Sequence, residues 1–96
     1  METFSEIIKV EREKRDLLLR HIGAELDVDQ ALISKFERGE RLPTKNQVIQ
    51  LAKLYEQDEN KLMALWLADK IILELKNEKM ALRAMKLAEK HLKKSI

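Results

Sequence analysis

The chain has 96 residues, no cysteine, two glycines, one proline, 4% aromatic residues and a formal net charge of +2. That length bounds it to one small domain or one domain with an extension; the absent cysteines exclude disulfides and thiolate metal sites, and a reducing cytoplasm is the expected setting. No apolar run approaches the roughly 18–20 residues of a membrane span, and the opening METFSEIIKVEREKR lacks a signal-peptide apolar region.

The scarcity of turn residues and β-formers, beside abundant Leu, Lys, Glu and Ala, predicts an almost wholly helical chain. Thr3 and Glu6 have capping-box spacing and open a helix over about 4–15, with Phe4, Ile7 and Ile8 as its apolar residues. Asp16 marks a turn, and a short helix over about 18–25 carries Leu18 and Ile22, with Leu26 just beyond. Asp29 offers a cap to a third helix, about 30–38, whose apolar residues are Leu32, Ile33 and Phe36. Gly39 is placed to end it, because a left-handed residue closes a helix and glycine takes that conformation without strain. Thr44 and Gln47 repeat the capping box and open a helix over about 45–56. Asp58 caps the next, about 59–76, which is densely apolar. Asn77 is the expected junction to a last helix over about 78–94, with Ala81, Ala84, Met85, Ala88 and Leu92 on one stripe; one bent helix in place of the last two is the alternative.

Bulk charge says little about partners. Residues 1–57 carry ten Lys or Arg against eleven Asp or Glu, and residues 58–96 carry nine against six. What matters is where the charges sit. On the helix at 30–38 one face reads Gln30, Ala31, Ser34, Lys35 and Arg38, and the other reads Leu32, Ile33 and Phe36. A helix lying in the DNA major groove needs such a division. Gln pairs with adenine, Lys reaches guanine acceptors, and Ala31 can meet a thymine methyl. Arg38, Arg41, Thr44 and Lys45 then form a rim suited to phosphate.

The stretch LLLRHIGAELDVDQALISKFERGERLP, Leu17 to Pro43, resembles the lambda-repressor-like, Xre-type helix-turn-helix family. The resemblance rests on Leu17, Ile22, Leu26, Val28, Asp29, Ile33-Ser34, Glu37-Arg38-Gly39 and Pro43, and it spans about residues 4–67. Gly23 stands where the family has a small residue that lets two helices approach, and Asp27 stands at the usual turn glycine. The resemblance implies an all-α bundle of about five helices with a C-terminal helical extension. It also implies an ion pair between Arg12 and Glu37, and a regulator that binds double-stranded DNA. Residues 1–67 would be the DNA-binding domain and 68–96 the extension, expected to dimerise.

The homodimer interface is expected to use Trp66, Ile71, Ile72, Leu75, Met85, Ala88 and Leu92, because a helix apolar on more than one side lacks enough partners in so short a chain. A palindromic operator follows from two-fold symmetry. The size resembles controller proteins of restriction–modification systems. An antitoxin acting by protein contact, and an adaptor that has lost DNA binding, are the other readings. His21 and Glu25 at i, i+4 read as an exposed pair, not a metal site. The Lys86–Lys94 segment reads first as a solvated helix face, with DNA or membrane contact as alternatives. No nucleophile–base pair or glycine-rich phosphate loop appears, so no enzyme, cofactor or metal is expected, nor is any particular protein partner indicated.

Overall fold

The computed structural model describes residues 2–96 and contains, among them, six α-helices and no strand. They are α1 (Phe4–Lys14), α2 (Leu19–Leu26), α3 (Gln30–Glu37), α4 (Lys45–Leu54), α5 (Glu59–Leu75) and α6 (Ala81–Ser95). The fold is therefore all-α, a helical bundle with a helical extension. No helix among the described residues is long and apolar enough to cross a membrane.

Local chemistry explains most boundaries. Asp29 Oδ1 accepts from Ala31 N at 2.7 Å, and Asp58 Oδ1 accepts from Asn60 N at 3.0 Å. The Thr44–Gln47 box is complete: Thr44 Oγ1 accepts from Gln47 N at 3.2 Å and Gln47 Oε1 accepts from Thr44 N at 2.8 Å. The Thr3–Glu6 box is only half made. Thr3 Oγ1 accepts from Glu6 N, whereas the N–H groups of Phe4 and Ser5 donate to Asp69 of α5, each at 3.3 Å. A distant carboxylate thus completes the N-terminal cap of α1. At α2, Leu18 has no side-chain acceptor, and its own N–H donates to His21 Nδ1 at 2.9 Å.

Helices α1, α2 and α4 are each followed within two residues by a left-handed non-glycine residue, Asp16, Asp27 and Glu56, with φ of 54°, 56° and 51°. The chain makes these turns with residues that bear the conformation at some cost. Gly39, at φ 73°, closes α3 without that cost.

The core lies among the first five helices and comprises Phe4, Ile7, Ile8, Ile22, Leu26, Ile33, Phe36, Val48, Leu51, Ala52, Tyr55, Leu62 and Trp66. Helix α5 packs on α1 and α4 along its first half. Two expectations are corrected here. Trp66 is core, not interface: it is buried, and its indole Nε1 donates to Pro43 O at 2.9 Å. Its indole N–H satisfies the carbonyl of a buried loop residue that would otherwise lack a partner, and so has a reason to face inward. The second correction concerns the junction. Helices α5 and α6 are separate, α6 starts at Ala81, and Met80, not Asn77, stands at its N-cap position.

Helix α6 has no buried residue. It stands off the bundle, which explains a radius of gyration of 14.8 Å where a compact chain of this length has about 12.5 Å.

Arg15 closes the open end of α1. It donates to Glu11 Oε1 at 2.7 Å and to the carbonyl of Tyr55 at 2.6 Å, with its guanidinium 5.4 Å from the Tyr55 ring centroid. Burial pushes the Tyr55 phenol well above its ordinary range, so it stays neutral. The hydrogen bond from Arg15 holds the buried Glu11 carboxyl below its ordinary value of 4.5, outweighing burial, with help from Lys14. A lowered folded-state pKa contributes stability above the unfolded value, and that stability is lost as pH falls through the folded value. Glu11→Gln is therefore expected to destabilise by about 1–3 kcal/mol at pH 7. The gap from the unsubstituted protein should close as pH falls below about 4, measured by chemical denaturation across a pH series.

Candidate nucleic-acid interface

Helix α3 has only eight residues and one exposed face. Gln30, Ala31 and Lys35 are exposed on it, Ser34 is half-buried, and Ile33 and Phe36 point into the core. Its angle to α2 is set at Gly23. A Cβ there would lie 2.6 Å from Val28 O and 3.3 Å from Gln30 N. Both atoms are backbone and cannot swing aside, so even alanine is too large where α2 meets the start of α3.

At the far end of α3, Arg12 of α1 grips Glu37 with two bonds. Nε donates to Oε2 at 2.7 Å and Nη2 to Oε1 at 2.9 Å. The third arm, Nη1, donates to Leu17 O at 2.9 Å. The side chains are only 13% and 5% exposed, which separates this fork from an ordinary surface pair. The hydrogen bond to Glu37 raises the Arg12 guanidinium still further, and the charge on Glu37 is engaged before any anion approaches.

The rim is unequal. Arg41, Thr44 and Lys45 are exposed, and neither Arg41 nor Lys45 has an acidic partner among the described residues. Arg38 is exposed but engaged: Nε donates to Glu40, and Nη1 donates to Ser34 Oγ at 2.6 Å. The hydrogen bond from Arg38 holds the Glu40 carboxyl low, so it stays ionised beside the rim. Phosphate contact by Arg38 must therefore compete with an internal acid, whereas Arg41 and Lys45 are free. The Thr44 hydroxyl is occupied in capping α4.

Between α1, α2 and α3 lies a hollow of about 240 Å³ lined by Lys9, Arg12, Leu19, Ser34, Glu37 and Arg38. Lys9 was missed in reading the sequence. The available signal was its i, i+3 spacing from Arg12, which puts both cations on one side of α1. Asp69 was missed as well, and no local spacing announces a cap from another helix.

The apolar residues beyond the core do not gather with α3. Ile71, Ile72, Leu75, Ala81, Leu82 and Met85, with Lys76, line an open groove of about 270 Å³ where α5 turns into α6. Ile71 is 41% exposed, Ile72 52% and Met85 39%. Ala88 and Leu92 continue along α6, both exposed. No group of three or more His, Cys, Asp or Glu among the described residues could hold a metal ion.

A family profile described as helix-turn-helix domain matches residues 4–65, which is α1 through the first half of α5. No curated protein and no solved structure matches the chain.

The Arg12–Glu37 fork generates a test. In a double-mutant cycle of Arg12→Ala and Glu37→Ala on chemical unfolding, the coupling is expected to be about 1–3 kcal/mol, because each single change leaves a largely buried charge unpaired. A coupling near zero would show that the fork holds nothing.

Proposed function

Because the chain belongs to the helix-turn-helix domain family, we propose that it is a sequence-specific DNA-binding regulator that reads its operator as a homodimer. One observation carries the reading. An eight-residue helix presents Gln30, Ala31 and Lys35 to solvent while its other face and both ends are held rigidly by the bundle. Rigid polar side chains on a short exposed helix are what direct readout in a major groove requires. Gln30, Ala31, Ser34 and Lys35 are assigned to base edges. Arg41, Lys45 and Thr44 are assigned to phosphates, as is Arg38 once released from Glu40.

The dimer is assigned to the apolar groove and to the Ala81, Ala84, Met85, Ala88 and Leu92 stripe of α6. Small residues at helical spacing let two helices come close, and the larger Met85 and Leu92 supply apolar area. Two recognition helices related by a two-fold axis would read a palindromic operator with half-sites about one helical turn apart. The finer assignment is an Xre-type regulator, with control of a restriction–modification system as the circuit its size suits. An antitoxin that covers a toxin with the same apolar surface is the second reading. The polar face of α3 favours the regulator, since toxin neutralisation makes no use of it.

Selection from a random duplex pool should return a two-fold symmetric site. Against that site, Gln30→Ala and Lys35→Ala are each expected to cost about 1–3 kcal/mol and to relax preference at one position. Arg41→Ala should weaken all sequences alike and lower the salt slope by about one per bound chain. Full affinity and preference in a Gln30/Lys35 double variant would refute the groove assignment.

Light scattering at tens of micromolar should give twice the mass of one chain. Met85→Gln with Leu92→Gln is expected to shift the mass toward one chain while leaving the fluorescence and unfolding of the bundle unchanged. A monomeric intact protein that still binds its operator tightly would remove the dimer from the reading.

A further inference from the structure

The charge of this protein is divided in a way its net value conceals. Residues 1–75 carry twelve Lys or Arg against fifteen Asp or Glu, so the helix-turn-helix bundle has a net charge of −3. Residues 76–96 carry seven against two, a net of +5. The rim formed by Arg41 and Lys45 therefore belongs to a body whose net charge opposes a polyanion.

The cations of the last segment are not scattered. At about 100° per residue, Arg83, Lys86, Lys90 and Lys94 fall within roughly 80° of one another on α6, opposite the Ala81, Ala84, Met85, Ala88 and Leu92 stripe. All four cations are exposed. Among the described residues, the acid that meets a cation of α6 is Glu89, 3.7 Å from Lys93, which leaves Arg83, Lys86, Lys90 and Lys94 unpaired. A further cation of the segment, Lys76 at the end of α5, lies near the proposed groove-reading helix. Lys76 shares one shallow hollow with Gly39, the residue that closes α3, and with Thr3 and Ser5.

We infer that the cationic face of α6 is a second phosphate-binding surface, which grips the DNA backbone outside the segment read by α3. The inference rests on the DNA-binding reading above and adds a surface to it. A 15-residue helix is about 22 Å long, enough to run beside about six phosphates of one strand. The two faces of α6 are compatible in one complex: the apolar face can be covered by a second copy while the cationic face stays outward. An anionic lipid surface fits less well. Interfacial helices insert Trp, Phe and Leu, and the face opposite the cations here is mostly alanine with no aromatic residue.

The test compares two pairs of substitutions with the same change in net charge. Lys86→Gln with Lys90→Gln neutralises the stripe; Lys53→Gln with Lys61→Gln neutralises the end of α4 and the start of α5. Full-length proteins are titrated against a random-sequence 40-base-pair duplex over a salt series, and separately against phosphatidylglycerol vesicles. Each lost phosphate contact lowers the salt slope by about 0.9, so the α6 pair should lower it by roughly two per bound chain and the control pair by little. Circular dichroism and light scattering establish that both variants keep their helicity and oligomeric state. Equal slopes in the two pairs, or an unchanged slope in the α6 variant beside a loss of vesicle binding, would overturn the inference while leaving DNA binding intact. Failure of the unsubstituted protein to bind any duplex would overturn both.

Discussion

Eight residues are too few to be helical alone, because nucleation is costly and isolated helices shorter than about 12–15 residues are marginal in water. Helix α3 must also leave one face bare, so it gains packing from one side only. Everything around it answers that constraint. Asp29 supplies the first missing acceptor and Gly39 the clean stop; Ile33 and Phe36 anchor the inner face. Arg12 and Glu37 fasten the end, and Gly23 permits α2 to close on the beginning. The Arg12–Glu37 fork serves a second end. On the proposed reading, a free carboxylate at this end of α3 would repel phosphate, and the fork engages that charge internally.

The same economy runs through the rest of the bundle. The chain has few aromatic residues, so polar side chains do work that bulk would do in a larger core. Arg15, at the C-cap of α1, reaches the carbonyl of Tyr55 at the C-cap of α4, Asp69 reaches from α5 to the first amides of α1, and Trp66 reaches from α5 to the loop before α4. Each crosses between elements at a place where a helix end or loop would otherwise leave a backbone group unpaired. Polar atoms at helix ends thereby become the fasteners of tertiary structure.

What was legible in the sequence divides along the same line. Asp29, Asp58 and the Thr44–Gln47 box were readable because a cap and its target lie within three residues. Gly39 was readable because helix ends have a recognisable grammar. The partnership of Arg12 with Glu37 came from family resemblance, since nothing local links residues 25 apart. Asp69 and the partner of Trp66 were not legible: a cap from another helix has no local spacing, and an apolar ring on a helix looks the same whether it faces its own bundle or another. Asn77 misled because it is a good capping residue in a segment where the chain makes an uncapped turn, and Met80 took the position instead. On α3, the division into a bare and a buried face was visible from helical spacing. That Arg38 would be taken up by Glu40 was not, because both lie in a stretch whose conformation depends on Gly39.

The indole of Trp66 has a consequence beyond packing. It is the only tryptophan in the chain, its N–H is bound to Pro43 O, and Lys70 Nζ lies 5.3 Å from the centre of its ring. Its emission therefore reports on one place: the seam where α5 meets the loop that connects α3 to α4. Solvent entering that seam will redden the spectrum, whereas events along α6, which contains no aromatic residue, will pass unseen. The molecule carries an optical label on its folded body and none on its extension, so the two can be followed separately without attaching a dye.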